Sequence, residues 1–533
     1  MGKTDLKSGF TSFLGREWKF IALWGMFSAV YAFLWARFMT YDVMFYDSAY
    51  QYYLDLHPFG RMMDLIKEDY SPPLYSVALK VFSLIFGNSL NTLRAFNVIS
   101  FSGLFLACLF PLRRLIGARG AVLSAAMILG SNYAFFFGHV IRPTTLAYVL
   151  STVFVIYAAL YLADQKRKDL VMMSIFAVLS MYTHYNSLMI AFCSYAAVLV
   201  FLIIRRDLKG IKEILISGAA VSVLYIPWLF VLIKQMSIVA GGYWTIGKTP
   251  VTVVLYYMIF GIFDNYKSPA FMGAVIAACG VVIFLMPFLA VDPSKIKTST
   301  RIGELFDRKK TESAGKQALR TLPLLIFLCL SFAAFYIYSY INEIQAGRYF
   351  FIFTGMVIII LASVLTLFDR KCVITAVFAA LFIADSVVNL TAMDKVRNMS
   401  ETNRLRADLT AEEKESDITF YCMYEWELGI AGYIFPDASI LISSETRTVL
   451  NDLGVFDDVG FTPVKEGESL FDHDDVIYLY TLESFHDKDN IPDYLPLEKG
   501  TYEITYVGKY KIPYMCSDSL YADTEIFRLT PLK

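Results

Sequence analysis

The stretch that decides the fold runs from Glu17 to Tyr50, EWKFIALWGMFSAVYAFLWARFMTYDVMFYDSAY. Its residues 18–38 are apolar and long enough to cross roughly 30 Å of hydrocarbon as a helix, which takes about 20 residues. The tail before them is basic through Arg16 and Lys19. The run is too long for a signal-peptide core and lacks a small-residue cleavage site, so it reads as a retained membrane helix. The character then changes. Asp42 and Tyr46-Asp47-Ser48-Ala49-Tyr50 open a polar, aromatic loop that occupies residues 39–92.

The rest of the chain repeats the first half of that pattern. Of 533 residues, 57% are hydrophobic and 18% charged, where ordinary soluble chains carry about a quarter charged residues. Further apolar runs fall near 94–112, 120–138, 143–163, 170–183, 185–204, 213–233, 270–290, 321–341, 348–368 and 372–390. The expected fold is therefore a polytopic α-helical membrane protein of about eleven transmembrane helices, within a range of ten to thirteen. Residues 1–390 form its membrane domain and residues 391–533 a water-soluble one. The net charge of -1 hides two opposite parts, because residues 391–533 hold about 28 acids against about 13 bases. That asymmetry argues against nucleic acid as a partner and for a membrane body with an acidic soluble domain.

Lys and Arg set the orientation. With the N-terminus inside, the inner loops carry Arg113-Arg114, Lys166-Arg167-Lys168, Arg205-Arg206, the stretch from Lys295 to Arg320, and Arg370-Lys371. Counted with the N-terminal tail, the inner set has about 24 bases against about 7 in the outer set. An odd number of spans then places residues 391–533 outside the cytoplasm, at the plasma membrane. There, Ile418 to Cys422, Val476 to Tyr480, Tyr502 to Tyr506 and Glu525 to Leu529 read as strands and Glu425 to Ile434 as a helix, a mixed α/β domain. It reads first as a solvated cap and second as an acceptor-gripping element. Cys422 and Cys516 lie in a compartment that permits a disulfide without requiring one. The chain shows no metal-ligand spacing and no Gly-rich phosphate loop, so no cofactor is expected and metal dependence is not indicated.

The same topology gathers the chemically interesting residues on the outer face. Asp42 and Asp47 lie in the first loop, followed by Tyr70-Ser71-Pro72-Pro73-Leu74-Tyr75 and an interfacial segment ending at Phe86-Gly87. Gly138-His139-Val140-Ile141-Arg142-Pro143, Tyr182-Thr183-His184-Tyr185 and Gly347-Arg348-Tyr349 sit at span ends on that face. Arginines there also serve as snorkelling anchors, and His184 also reads as an ordinary interfacial residue. Together, however, one carboxylate, two arginines and histidines suit displacement at a sugar carbon with a lipid phosphate leaving. The carboxylate takes the acceptor's proton and the arginines bind the phosphate.

In that order, these motifs resemble the C-type integral-membrane glycosyltransferases, and more closely the branch of protein O-mannosyltransferases and the lipid A aminoarabinose transferase. The resemblance covers about residues 15–390. It implies a polyprenyl-phosphate sugar donor and an extracytoplasmic acceptor, either envelope lipid, glycan or protein. It implies Asp47 as catalytic base with inversion, and Arg142 and Arg348 at the donor phosphate with His184 and Tyr349. Asp42, Tyr75, His139 and Tyr182 are expected to line the site. The chain departs from the branch at Ser48, Ser71 and Val140, where Glu, His and Glu are usual. The alternatives are a polyprenyl-lipid flippase or a relative that only binds lipid. A transporter's internal repeats and broken helices are not seen in the sequence.

Overall fold

The computed structural model describes residues 3–38, 44, 46–131, 134, 138, 140–240, 248, 250–260, 273, 276–277, 279–281, 283, 314–343, 347–368, 373–411, 413–422, 425–443, 455–456, 459–465, 467–482, 495–516 and 519–532. Its helices are α1 (Lys3–Phe38), α2 (Tyr46–Leu56), α3 (Phe59–Glu68), α4 (Leu74–Phe86), α5 (Leu90–Ala107), α6 (Arg113–Leu129), α7 (Thr144–Asp164), α8 (Arg167–Met181), α9 (Asn186–Ile204), α10 (Leu208–Ala240), α11 (Val251–Phe260), α12 (Ala314–Ile341), α13 (Thr354–Phe368), α14 (Val373–Met399), α15 (Thr402–Thr410) and α16 (Glu425–Ile434).

Among the described residues, seven helical stretches are long and apolar enough to cross a membrane. They are Glu17–Phe38, Leu90–Leu129, Thr144–Asp164, Asn186–Ile204, Leu208–Met236, Arg320–Ile341 and Tyr349–Thr366. The chain is an integral membrane protein. Seven differs from the expected eleven partly through helix geometry and partly because two of the expected spans lie wholly or partly outside the described residues. Leu90–Leu129 is one continuous hydrogen-bonded run, yet it passes through a π turn at Cys108–Leu112 that contains Pro111. It then breaks at Gly117, where φ is 81°, a left-handed conformation that glycine adopts without penalty. The expected spans 94–112 and 120–138 begin on opposite sides of that break. α8 has only 15 residues, and the expected span at 372–390 is cut short because residues 371–372 and the side chains of 373, 374 and 385 lie outside the described residues. Most of 270–290 lies outside the described residues.

The chain divides into two compact units. The first holds residues 1–37, 95–139 and 143–389, and an ionic network ties one end of its helices together. Arg114 reaches both carboxylate oxygens of Asp169, at 2.8 and 2.7 Å, and Asp164 at 3.0 Å. Arg320 meets Asp164 at 3.1 Å and donates to the Arg114 carbonyl at 2.6 Å. Arg113 pairs with Glu17 at 2.7 Å. The loops after α5 and α7 and the start of α12 thus share one end, as their common assignment from basic residues requires. Asp169 is buried, and a buried carboxylate is costly without its paired, hydrogen-bonded cation.

The second unit holds residues 38–94, 140–142 and 390–533. Its six-stranded sheet has the order β3-β2-β1-β4-β6-β5, with β1 (Thr419–Cys422), β2 (Ser439–Ser443), β3 (Phe461–Val464), β4 (Ile477–Leu482), β5 (Tyr502–Cys516) and β6 (Ser519–Pro531). The first four strands in that order are parallel and β6 and β5 antiparallel. Parallel strands buried on both faces read as near-continuous apolar runs, which is why β1 and β4 were legible. Tyr421, Leu441, Leu479 and Phe527 belong to the core of one face. All four expected strand runs and the helix at 425–434 are present, whereas β2, β3 and α15 went unread. Cys422 is a free, buried thiol.

Within this unit the first loop packs with the C-terminal chain. α2 lies on α16 so closely that a Cβ on Gly429 would stand 2.3 Å from the Ala49 Cβ. The buried His57 ring meets the Val455 carbonyl at 2.7 Å.

Arg114→Ala would strand the Asp169 carboxylate. We expect a stability loss of about 3 kcal/mol, at the low end for a broken buried pair because Arg114 itself is partly exposed. Thermal unfolding of the detergent-solubilised protein checks this, and an unchanged midpoint would show that the network carries no stability.

Candidate active site

In the second unit the site residues are built around the first turn of α2. Tyr46 and Asp47 open that helix; the Asp47 side chain lies outside the described residues. One residue on, Ser48 is buried and its hydroxyl accepts the backbone N–H of Ile141 at 3.0 Å. This bond places the segment 140–142, and therefore Arg142, beside the turn that carries Asp47. Arg142 also donates its backbone N–H to the Val140 carbonyl at 3.0 Å. Its guanidinium carbon stands 5.9 Å from the Tyr50 ring centre, within cation–π range.

A second acid completes this arrangement, and reading the sequence missed it. Asp69 follows the last turn of α3, with its N–H on the Leu65 carbonyl at 3.0 Å, and is 7% exposed. The Arg142 charge and the polar groups of Tyr70, Ser71 and Tyr50 favour its ionised form. Burial raises its pKa above the ordinary carboxyl range, and the Arg142 charge opposes that rise. The sign for stability follows. An acid whose folded pKa is raised costs the fold stability as pH climbs from its unfolded value through its folded one. The Tyr50 hydroxyl, 3% exposed, faces the Asp69 carboxyl short of full hydrogen-bond geometry and makes no other hydrogen bond. Burial, then the Asp69 charge, pushes its pKa up. The available signal was an acid two residues before Ser71-Pro72-Pro73, a turn that prolines make rigid.

Tyr75, expected to line the site, is fully buried in α4. α4 starts after Pro73 and stops at Gly87 with φ 93°, so the expected short segment is a helix of 13 residues. Ser76 ties it to α2 by donating to the Gln51 side-chain oxygen at 3.0 Å. Asp42 and His139 lie outside the described residues.

The first unit brings together Tyr182, His184 and Tyr349. Tyr182 ends α8 and donates its hydroxyl to the Leu224 carbonyl at 2.8 Å. His184 accepts the Asn186 N–H on Nδ1 at 3.2 Å and sets its ring edge against Phe351, centres 5.7 Å apart. An accepting Nδ1 places the proton of a neutral ring on Nε2, making that nitrogen the donor. The Asn186 side chain donates to the Tyr349 carbonyl at 3.1 Å, linking the His184 turn to the 3₁₀ helix Gly347–Phe353 that carries Arg348. The Arg348 side chain lies outside the described residues.

Ser48→Ala removes the acceptor of the buried Ile141 N–H. The expected cost is about 1–3 kcal/mol, seen as a lower thermal midpoint that Ser48→Thr recovers; equal midpoints for wild type and Ser48→Ala would show that the bond does not hold the segment.

Residues 70–231 match the dolichyl-phosphate-mannose-protein mannosyltransferase family. No curated protein matches the chain. Among solved structures it is similar to ArnT from Cupriavidus metallidurans. The apo form matches at 11% identity over 94% of this chain and 97% of that one, TM-score 0.57. The form bound to undecaprenyl phosphate matches at 11% identity over the same shares, TM-score 0.53. The likeness read from the sequence is thereby borne out, and the chain has the fold of a C-type integral-membrane glycosyltransferase.

Proposed function

We propose that this protein is an inverting glycosyltransferase that moves one sugar from a polyprenyl phosphate to an acceptor outside the cytoplasm. The observation that carries the reading is the bond from Ile141 to Ser48, which sets Arg142 beside the helical turn bearing Asp47. That arrangement occurs in a chain folded like ArnT, whose structure was solved with undecaprenyl phosphate. Asp47 takes the proton of the acceptor hydroxyl as its oxygen attacks the anomeric carbon. The bond from that carbon to the phosphate oxygen breaks, and its electron pair leaves on the phosphate. Arg142 and Arg348 balance the charge that develops there, with paired donors matched to phosphate oxygens. His184, through Nε2–H, and Tyr349 add neutral donors, while Asp42, Tyr75, His139 and Tyr182 line the site. One carboxylate base without a covalent intermediate gives inversion.

The proposed setting is the plasma membrane, with eleven spans, the N-terminus inside, and the membrane domain at residues 1–390. Residues 391–533 then form an extracytoplasmic domain close to the acceptor, which is a lipid, glycan or protein of the cell envelope. The reaction proposed needs no metal.

Purified protein given labelled polyprenyl-phosphate sugars and a cell-envelope extract should release lipid phosphate and pass label to an acceptor. Asp47→Asn should lower the rate by roughly a hundredfold or more with membrane insertion intact; full activity in that variant would sink the mechanism. Arg142→Ala and Arg348→Ala should chiefly raise the donor KM, and unchanged donor kinetics in both would reduce them to anchors. Exhaustive chelation should leave the rate unaltered, and loss of activity restored by a divalent cation would overturn the metal-free reading.

A further inference from the structure

The later part of α10 exposes large apolar side chains, with Phe230 at 69% and Ile233 at 58%, as a helix against hydrocarbon does. Its buried side is different in kind. Trp228 and Gln235, 6% and 1% exposed, stand seven residues apart and so on one helical face. A leucine would fill either position without the cost of taking a polar group out of water. Both residues spend their polar ends on one atom of a neighbouring turn: the Trp228 indole N–H donates to the Tyr185 hydroxyl at 3.0 Å, and that hydroxyl donates to the Gln235 side-chain oxygen. α10 holds the other side of the same turn as well. The Tyr182 hydroxyl is fixed on the Leu224 carbonyl at 2.8 Å, and the Tyr182 ring stands edge-on to Tyr225, centres 5.2 Å apart. His184 therefore lies between two tyrosines whose hydroxyls are both tied to α10.

We propose that Trp228 and Gln235 are positioning residues: by fixing the Tyr185 hydroxyl they set the aim of His184 toward the lipid phosphate. The inference rests on the reading of His184 as a donor-phosphate ligand. A hydroxyl that accepts from one buried group and donates to another is held at two points, and the backbone at residue 185 is held with it. One residue earlier, the imidazole has its Nδ1 on the Asn186 N–H and its edge on Phe351, so the direction of Nε2–H follows the turn. A hydrogen bond to an ionised oxygen is strong but weakens steeply with angle. A loosened turn would thus weaken the hold on the phosphate without removing any group that touches it. No proton is transferred and no covalent bond changes in this role.

The experiment is a double-mutant cycle read as the affinity of the full-length protein in nanodiscs for undecaprenyl phosphate. Tyr185→Phe removes one oxygen and keeps the ring, and Gln235→Leu removes the acceptor at similar volume. Each should weaken binding by about tenfold, as His184→Ala itself should, the scale of a hydrogen bond to a charged group. In the His184→Ala background, either substitution should change the affinity by less than about twofold, the scatter expected of a cycle, because the group they aim is gone. Trp228→Phe, which keeps an aromatic ring in place, repeats the cycle from the other bond. A role confined to holding the helices together predicts the same fold-loss with and without His184, and that result overturns the inference. So does wild-type affinity in Tyr185→Phe and Gln235→Leu, or in His184→Ala; in each case the transferase reading still stands on Asp47, Arg142 and Arg348. A wild type that does not bind undecaprenyl phosphate overturns the donor reading itself, and the inference with it.

Discussion

A charge taken out of water must meet an opposite charge or give up its ionisation, and the candidate site depends on that constraint at Asp69 and Arg142. The carboxyl is buried after the last turn of α3, where the Arg142 charge favours its ionised form against burial. Pro72 and Pro73, both buried, follow directly and stiffen the turn, so Asp69 is not free to follow Arg142 outward. The cation is constrained from its own side by the bond from Ile141 to Ser48. Two short segments far apart in sequence are thereby held at one place, and the helical turn bearing Asp47 is the element they both meet.

That turn belongs to a helix of 11 residues, which is too short to be stable alone in water. Its rigidity has to come from packing, and the partner is the C-terminal chain. Gly429 permits α16 to approach where any larger residue would strike Ala49. Tyr53 packs edge-on against Phe461, centres 5.1 Å apart, and lies 5.3 Å from Phe456. The C-terminal sheet is accordingly a structural support for the loop that carries the candidate base, which a purely solvated cap would not be. A mispositioned base loses much of its effectiveness even when its chemistry is intact, so a defect in this packing would register in turnover.

Much of this was legible because hydrocarbon and sheet burial impose strong patterns. The apolar spans, four of the six strands, the helix at 425–434 and the short helix at 74–86 all follow from length and hydrophobicity. The motifs at Asp47, Arg142, His184 and Tyr349 were legible as residue types at span ends. Asp69 was not, because an acid in a loop carries no mark of burial, and its neighbours Tyr50 and Arg142 lie about 20 and 70 residues away in sequence. The role of Ser48 was equally hidden. It stands where the resembled branch usually has Glu, and it reads as a loss until its hydroxyl is seen to accept the Ile141 N–H. The association of the first loop with residues 390–533 was beyond sequence as well, since it depends on a close approach at Gly429 that periodicity does not encode.

The replacement at residue 48 also explains how the chain manages charge at this place. A glutamate there would add a second negative group at the first turn of α2, beside the segment that carries Arg142. Like charges gathered around one cation raise each other's pKa values and weaken its hold on a further anion. Serine instead contributes a neutral acceptor that fixes the backbone. Backbone placement at this turn is then controlled by a neutral side chain, Ser48, without adding charge beside Arg142.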